Sequence, residues 1–138
     1  KHLTTSNARR TSVFATNSGN YQTALSVSIT PIQSNSHILV VVTGSGAGYY
    51  GGTSSGQQAP GWATVYKNGA PWTGLETSLP RGNPTFATPI SQIILDTGPG
   101  AGNSVSYQVM LKKNGGNNSG PSPTIRHSTS ITLIEFMV

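Results

Sequence analysis

The feature that most constrains this chain is the alternation in "ALSVSIT", where Leu25, Val27 and Ile29 are separated by Ser26, Ser28 and Thr30. Apolar side chains at every second residue all point to one side of an extended backbone but fall on opposite sides of a helix, so the pattern predicts a strand with one buried face. The same period recurs in "SVSYQVMLK", where Val105, Tyr107, Val109 and Leu111 share a face, and in the terminal "STSITLIEFMV". No stretch carries the 3.6-residue period of an amphipathic helix. The chain therefore reads as all-β.

Turn chemistry separates the strands. Pro31 ends the first alternating run, "PIQSNS" follows as a turn, and the next run, "SHILVVVT", is apolar at consecutive positions. A run of that kind predicts a central strand covered on both sides. In "WATVYKNGAPW" the pair Asn68 and Gly69 can take the positive φ angles of a type I′ hairpin turn. Pro71, just beyond that turn, lacks the N–H a central strand must donate, which predicts an edge strand. Two further strands, "ISQIILD" and "SVSYQVMLK", flank "TGPGAGN"; a short one near "RTSVFAT" and another near Thr85 to Thr88 bring the expected count to eight or nine. This density of strands and turns predicts an antiparallel two-sheet sandwich of jelly-roll or Greek-key type. The domain is expected to span residues 11–138, with residues 1–10, "KHLTTSNARR", as a polar arm or linker.

Composition narrows the chemistry. The 138 residues contain no cysteine, which excludes disulfides, zinc–thiolate sites and thiol nucleophiles together. Only Glu76, Asp96 and Glu135 are acidic, so a two-carboxylate hydrolase would need two of those three to meet. Asp96, before "TGPG", reads as a turn former that bonds backbone amides. Glu135 shares a strand face with Ile131 and Leu133, where pairing with an Arg or Lys is expected. His37 and His127 read as strand-end residues, and no nucleophile elbow accompanies them. The three histidines lack metal-ligand spacing; were Ca²⁺ bound, Asp96 and Asn103 would be its candidate ligands. The sequence thus predicts no enzyme, no metal and no cofactor.

Net charge is +5, but the eight basic residues are scattered and form no cluster with interleaved aromatics. Nucleic-acid binding is not expected on that ground. No apolar run approaches membrane-spanning length, so membrane insertion is not expected either.

Aromatic residues carry the functional hint. "GSGAGYYGGTSSGQQAPGW" places Tyr49 and Tyr50 inside a Gly- and Ser-rich run, read as a surface loop that ends where Trp62 opens the next strand. Trp62 and Tyr66, at strand spacing, are expected to pack. Tyr49, Tyr50 and Trp72, with Arg81 and Asn83 in "LPRGNP", form the candidate ligand-binding set, because a flat ring with a polar tip suits a sugar or a protein partner equally well.

Four stretches, "SVSITPIQSNSHILVVV", "VYKNGAP", "ILDTGPGAGNSVSYQVML" and "STSITLIEF", follow one another in an order that resembles the carboxy-terminal domains of bacteriophage tail-fibre and other virion structural proteins. The resemblance covers about residues 23–136 and departs from the usual pattern after Thr43 and after Lys113. It implies a homotrimeric jelly-roll-like domain, similar to tumour-necrosis-factor-like folds, exposed on the virion surface beside other virion proteins. The implied function is a receptor- or glycan-binding fibre tip that attaches the particle to a host surface glycan. A capsid decoration (cement) protein is the alternative, and a free carbohydrate-binding module a third. The resemblance supplies no catalytic residues.

Overall fold

The computed structural model describes residues 1–49, 61–72, 76–79, 81–82, 88–113 and 122–138, with backbone alone at 48, 49, 81 and 82. Its strands, in chain order, are β1 (His2–Arg9), β2 (Phe14–Ala15), β3 (Gln22–Ile29), β4 (Ser36–Tyr49), β5 (Gly61–Lys67) and β6 (Ala70–Pro71). They continue with β7 (Thr77–Leu79), β8 (Arg81–Gly82), β9 (Thr88–Asp96), β10 (Val105–Lys113), β11 (Thr124–Ile125) and β12 (Ser130–Met137). The described residues thus contain twelve strands rather than eight or nine, the excess being two- and three-residue pieces that periodicity cannot register. No described helix is long and apolar enough to cross a membrane.

Two sheets pack face to face. The larger, of seven strands, runs β1-β12-β4 and continues along β4 to β9, β8 and β11, with β2 beyond β11; the smaller, of five, runs β3-β10-β5-β6, with β7 also on β5. Pairing is antiparallel apart from the two-residue contact of β4 with β8. Each sheet interleaves strands from the two ends of the chain, which is the strand order of a jelly roll. Between the sheets lies one core, built from Ile38, Val40 and Val42 of β4, Ile131 and Leu133 of β12, Val27 and Ile29 of β3, and Val65 of β5. The β10 face predicted from alternation, Val105, Tyr107, Val109 and Leu111, is buried throughout. A register shift between Val109 and Met110 turns Ala24 inward on β3 and leaves Leu25 half-buried.

Local chemistry accounts for the turns. Asn68 has φ 52° and Gly69 φ 77°, as the hairpin reading requires. Pro71 sits on β6, whose one neighbour in the smaller sheet is β5, so its missing N–H interrupts no ladder.

Three expectations are corrected. Residues 1–10, expected as an arm or linker, supply β1, which pairs with β12 from His2↔Phe136 to Arg9↔Ser130. Its polar sequence suits an edge strand, held by backbone hydrogen bonds and by Ala8 packed on the core. The Gly-rich run after Thr43, expected as a loop, continues β4 to Tyr49, pairing with β9 as far as Gly46↔Thr88. Gly46 is required there by close approach: a Cβ on it would lie 2.8 Å from Leu79 Cδ1 and 2.9 Å from the Thr124 carbonyl oxygen. Lastly, among the described residues β4 is covered by a second layer on one face only. Ser36, Ile38, Val40 and Val42 are buried, whereas His37, Leu39 and Val41 on the other face are half-buried.

Candidate functional site

Register places the ends of the sandwich. Gly61 pairs with Lys113 and with Leu79, Gly46 with Thr88, Ala47 with Thr124, and Gly48 with Arg81. These contacts gather the ends of β4, β8 and β10 and the starts of β5, β9 and β11 at one end. Tyr49 and Arg81 therefore come from neighbouring backbone positions, as a common rim requires. Tyr50 and Asn83, and the strand expected near Thr85, lie outside the described residues apart from Thr88, which opens β9.

Trp72 does not join that rim. It follows the Asn68–Gly69 hairpin at the opposite end, where its ring meets Tyr107 edge-on at 5.4 Å and packs against the core. Lys67 Nζ lies 5.7 Å from the Trp72 ring centroid and bonds Asp96 Oδ2 at 2.5 Å. Tyr107 Oη donates to the same carboxylate at 2.6 Å, and the Gly98 amide donates to Oδ1 at 3.0 Å. Burial alone would raise the Asp96 carboxyl, but these donors outweigh it and hold its pKa below the ordinary value. Burial, then the Asp96 charge, pushes the Tyr107 phenol far up. Asp96 is thus the turn former expected, and the fold adds a cation and a phenol from distant positions beside it.

Glu135 is fully buried and pairs with no Arg or Lys among the described residues, contrary to expectation. Its Oε1 accepts from the Ile32 amide at 2.7 Å, from Ser36 Oγ at 2.5 Å and from the Gln33 amide at 3.4 Å. A carboxylate from the last strand thereby fixes the turn between β3 and β4. Asp96 and Glu135 flank Ile38 in one inner row of the larger sheet, each 5% exposed or less. Asp96 and the Oε1 of Glu135 are taken by structural donors, while Glu135 Oε2 is buried without a partner, and neither carboxyl is reached by solvent as an acid–base pair needs. No group of three His, Asp or Glu side chains that could hold a metal occurs among the described residues. His37 meets Phe136 edge-on at 6.0 Å on the outer face, and His127 lies exposed in the turn before β12.

The two outer faces of the sandwich differ in chemistry. On the larger sheet, register aligns Phe136 with His37, Ile134 with Leu39 and Leu39 with Leu95, and Val41 with Ile93. Ile93 is 67% exposed and Leu95 48% exposed. These half-buried and exposed aliphatic side chains form a contiguous row across three adjacent strands rather than scattered exposure. The sequence signal for it was the doubly apolar "HILVVV" and "IILD", whose outer residues no strand among the described residues covers.

On the smaller sheet, Trp62, Thr64 and Tyr66 of β5 point outward with Gln108, Met110 and Lys112 of β10, because Ala63 and Val65 take the inner face. Tyr21 meets Tyr66 edge-on at 5.5 Å, and Lys112 Nζ lies 4.4 Å from the Tyr21 ring centroid. Tyr21 Oη donates to Glu76 Oε1, which Lys112 also approaches at 3.4 Å. The Tyr21 hydrogen bond holds the Glu76 carboxyl below its ordinary pKa, while burial and Glu76 together raise the Tyr21 phenol. Trp62 and Tyr66, expected to pack, are half-buried, Tyr66 against the Tyr21 ring, while Thr64, Gln108 and Met110 on the same face are buried.

Comparison of the sequence with known protein families and with curated proteins found no match.

Proposed function

We propose that this chain is a structural domain of a virion surface, assembled as a homotrimer and displaying a receptor- or glycan-binding tip. The observation that carries the reading is the uncovered aliphatic face formed by Leu39, Val41, Ile93, Leu95, Ile134 and Phe136. Burying such a face against identical copies supplies the stability that a cysteine-free chain cannot take from disulfides, and a face without acidic residues meets no like-charge penalty of its own making. The jelly-roll strand order agrees with the resemblance to tail-fibre domains. Gathering strand ends at one end of the sandwich gives the rim, with Tyr49 and Arg81, from which a tip would act.

Weak recognition becomes useful in such an assembly. A shallow site with one or two rings reaches affinities of about millimolar, and three copies on one axis raise the effective strength about 10² to 10⁴-fold. The attachment reading is favoured over capsid decoration because residues 1–10, the arm a clamp would extend to its partner, are used within the chain's own sheet. Purified chain at micromolar concentration should compete with particles for attachment to host cells. Absence of competition, together with density for the chain inside the particle rather than on it, would contradict the proposal.

A further inference from the structure

We infer that the outer face of the smaller sheet is a carbohydrate-binding platform on which Trp62 stacks a neutral pyranose ring. The inference deepens the glycan-binding part of the proposal above, rests on it, and moves the contact from the loop rim to a sheet face.

Three observations carry it. Trp62 is half-buried on a sheet face, and among the described residues its ring meets no other ring and its indole N–H has no hydrogen-bond partner. An aromatic surface held by a rigid strand, with a donor at its edge left free, is complementary to the C–H face and the hydroxyl rim of a sugar. Beside it lie the groups that hydroxyls need. Lys112 pairs directly across from Trp62 on one side and Ser78 on the other. Glu76 Oε1 is taken by Tyr21 and Lys112, leaving Oε2 as an acceptor on a side chain 39% exposed. The ion pair cancels its own charge, so the platform favours a neutral sugar over an acidic one.

The third observation is rigidity. Lys112 is held over the Tyr21 ring, Tyr21 against Tyr66, and Tyr21 to Glu76, so the polar groups around Trp62 are positioned by one another. Preorganised side chains lose little freedom on binding, which a shallow site requires. Thr64, between Trp62 and Tyr66 on β5, is buried with Met110 across from it, so the contact is confined to one ring on the half-exposed Trp62. The platform lies on the opposite side of the sandwich from the aliphatic face, so assembly through that face leaves it open.

The test is a titration of the isotopically labelled full chain with the methyl glycosides of glucose, galactose, mannose and N-acetylglucosamine, following the indole N–H signals of Trp62 and Trp72. At least one glycoside should move the Trp62 signal saturably, with a Kd of about millimolar, and leave Trp72 unmoved. Trp62→Ala should abolish binding while the thermal midpoint stays near wild type, and Glu76→Gln should weaken it several-fold. If none of the four glycosides moves the Trp62 signal, or if Trp62→Ala binds as wild type does, the inference is wrong. Light scattering on the same samples keeps the two claims apart. A trimer that binds no glycoside overturns the platform alone, whereas a monomer that binds one overturns the assembly alone.

Discussion

Replacing Tyr107 with Phe removes one buried hydroxyl and leaves the ring in place. That ring is fully buried and meets Trp72 at 5.4 Å, so the packing survives; what is lost is the 2.6 Å hydrogen bond to Asp96. A hydrogen bond to a charged acceptor contributes about 1.5–3 kcal/mol, and here the acceptor is buried enough that water does not replace it. For a chain of this size a loss of about 2 kcal/mol lowers the thermal midpoint by roughly 6–10 °C, compared at equal protein concentration. The effect should also depend on pH. Because the folded Asp96 carboxyl titrates below its unfolded value, its contribution is complete above the ordinary Asp pKa and is lost as pH falls through the lowered folded one. Tyr107→Phe takes away one of the donors responsible and brings the folded carboxyl closer to its unfolded value, so both proteins should start to lose this contribution at the same pH, the variant should lose less of it, and the gap between them should narrow in strong acid. Denaturant melts of both proteins at pH 7 and at about pH 2 measure this. Tyr21→Phe is the control: it makes the same deletion beside the half-exposed Glu76 and should cost under about 1 kcal/mol. A Tyr107→Phe gap that is absent at pH 7, or equal at both pH values, refutes the argument.

Two other substitutions probe the frame. Glu135→Ala strands the Ile32 amide and the Ser36 hydroxyl without an acceptor and should cost about 3 kcal/mol or more, read as a lower denaturation midpoint. Gly44→Ala would set a Cβ 2.5 Å from the Thr129 Cα, a backbone atom that cannot swing aside, and should destabilise by about 2–4 kcal/mol, whereas Gly69→Ala meets no atom within 4 Å and costs only the strain of its positive φ.

How much of this was legible depends on which force forms each element. β3, β10 and β12 bury one apolar face and carry its period in the sequence, and the Asn68–Gly69 turn is written in its own φ preferences. β1 and the far half of β4 are held by backbone pairing and by close approach. A polar edge strand such as "HLTTSNAR" has no alternation to read, and glycines that admit Leu79 and Thr129 look, in sequence, like the glycines of a loop. Trp72 was misplaced for a related reason: proximity to a turn suggests exposure, but the short return of β6 folds its ring back onto Tyr107. The outward set of β5 was within reach, since in "WATVYK" Ala63 and Val65, the aliphatic residues, face the opposing sheet and leave Trp62, Thr64 and Tyr66 on the other side. What single-chain periodicity could not convey was why "HILVVV" is apolar on both sides when, among the described residues, only one side meets a second layer.

That last point is the central claim, and the molar mass of the purified chain in solution tests it most directly. The double variant Ile93→Lys with Leu95→Lys places two charges on the outer face, far from the core, where they cost the folded subunit little but cannot be buried between copies. Light scattering at micromolar concentration should give three times the chain mass for wild type and the single-chain mass for the double variant, with the strand signature of both unchanged by circular dichroism. A wild-type protein that is folded and monomeric, or a double variant that remains trimeric, would contradict the account.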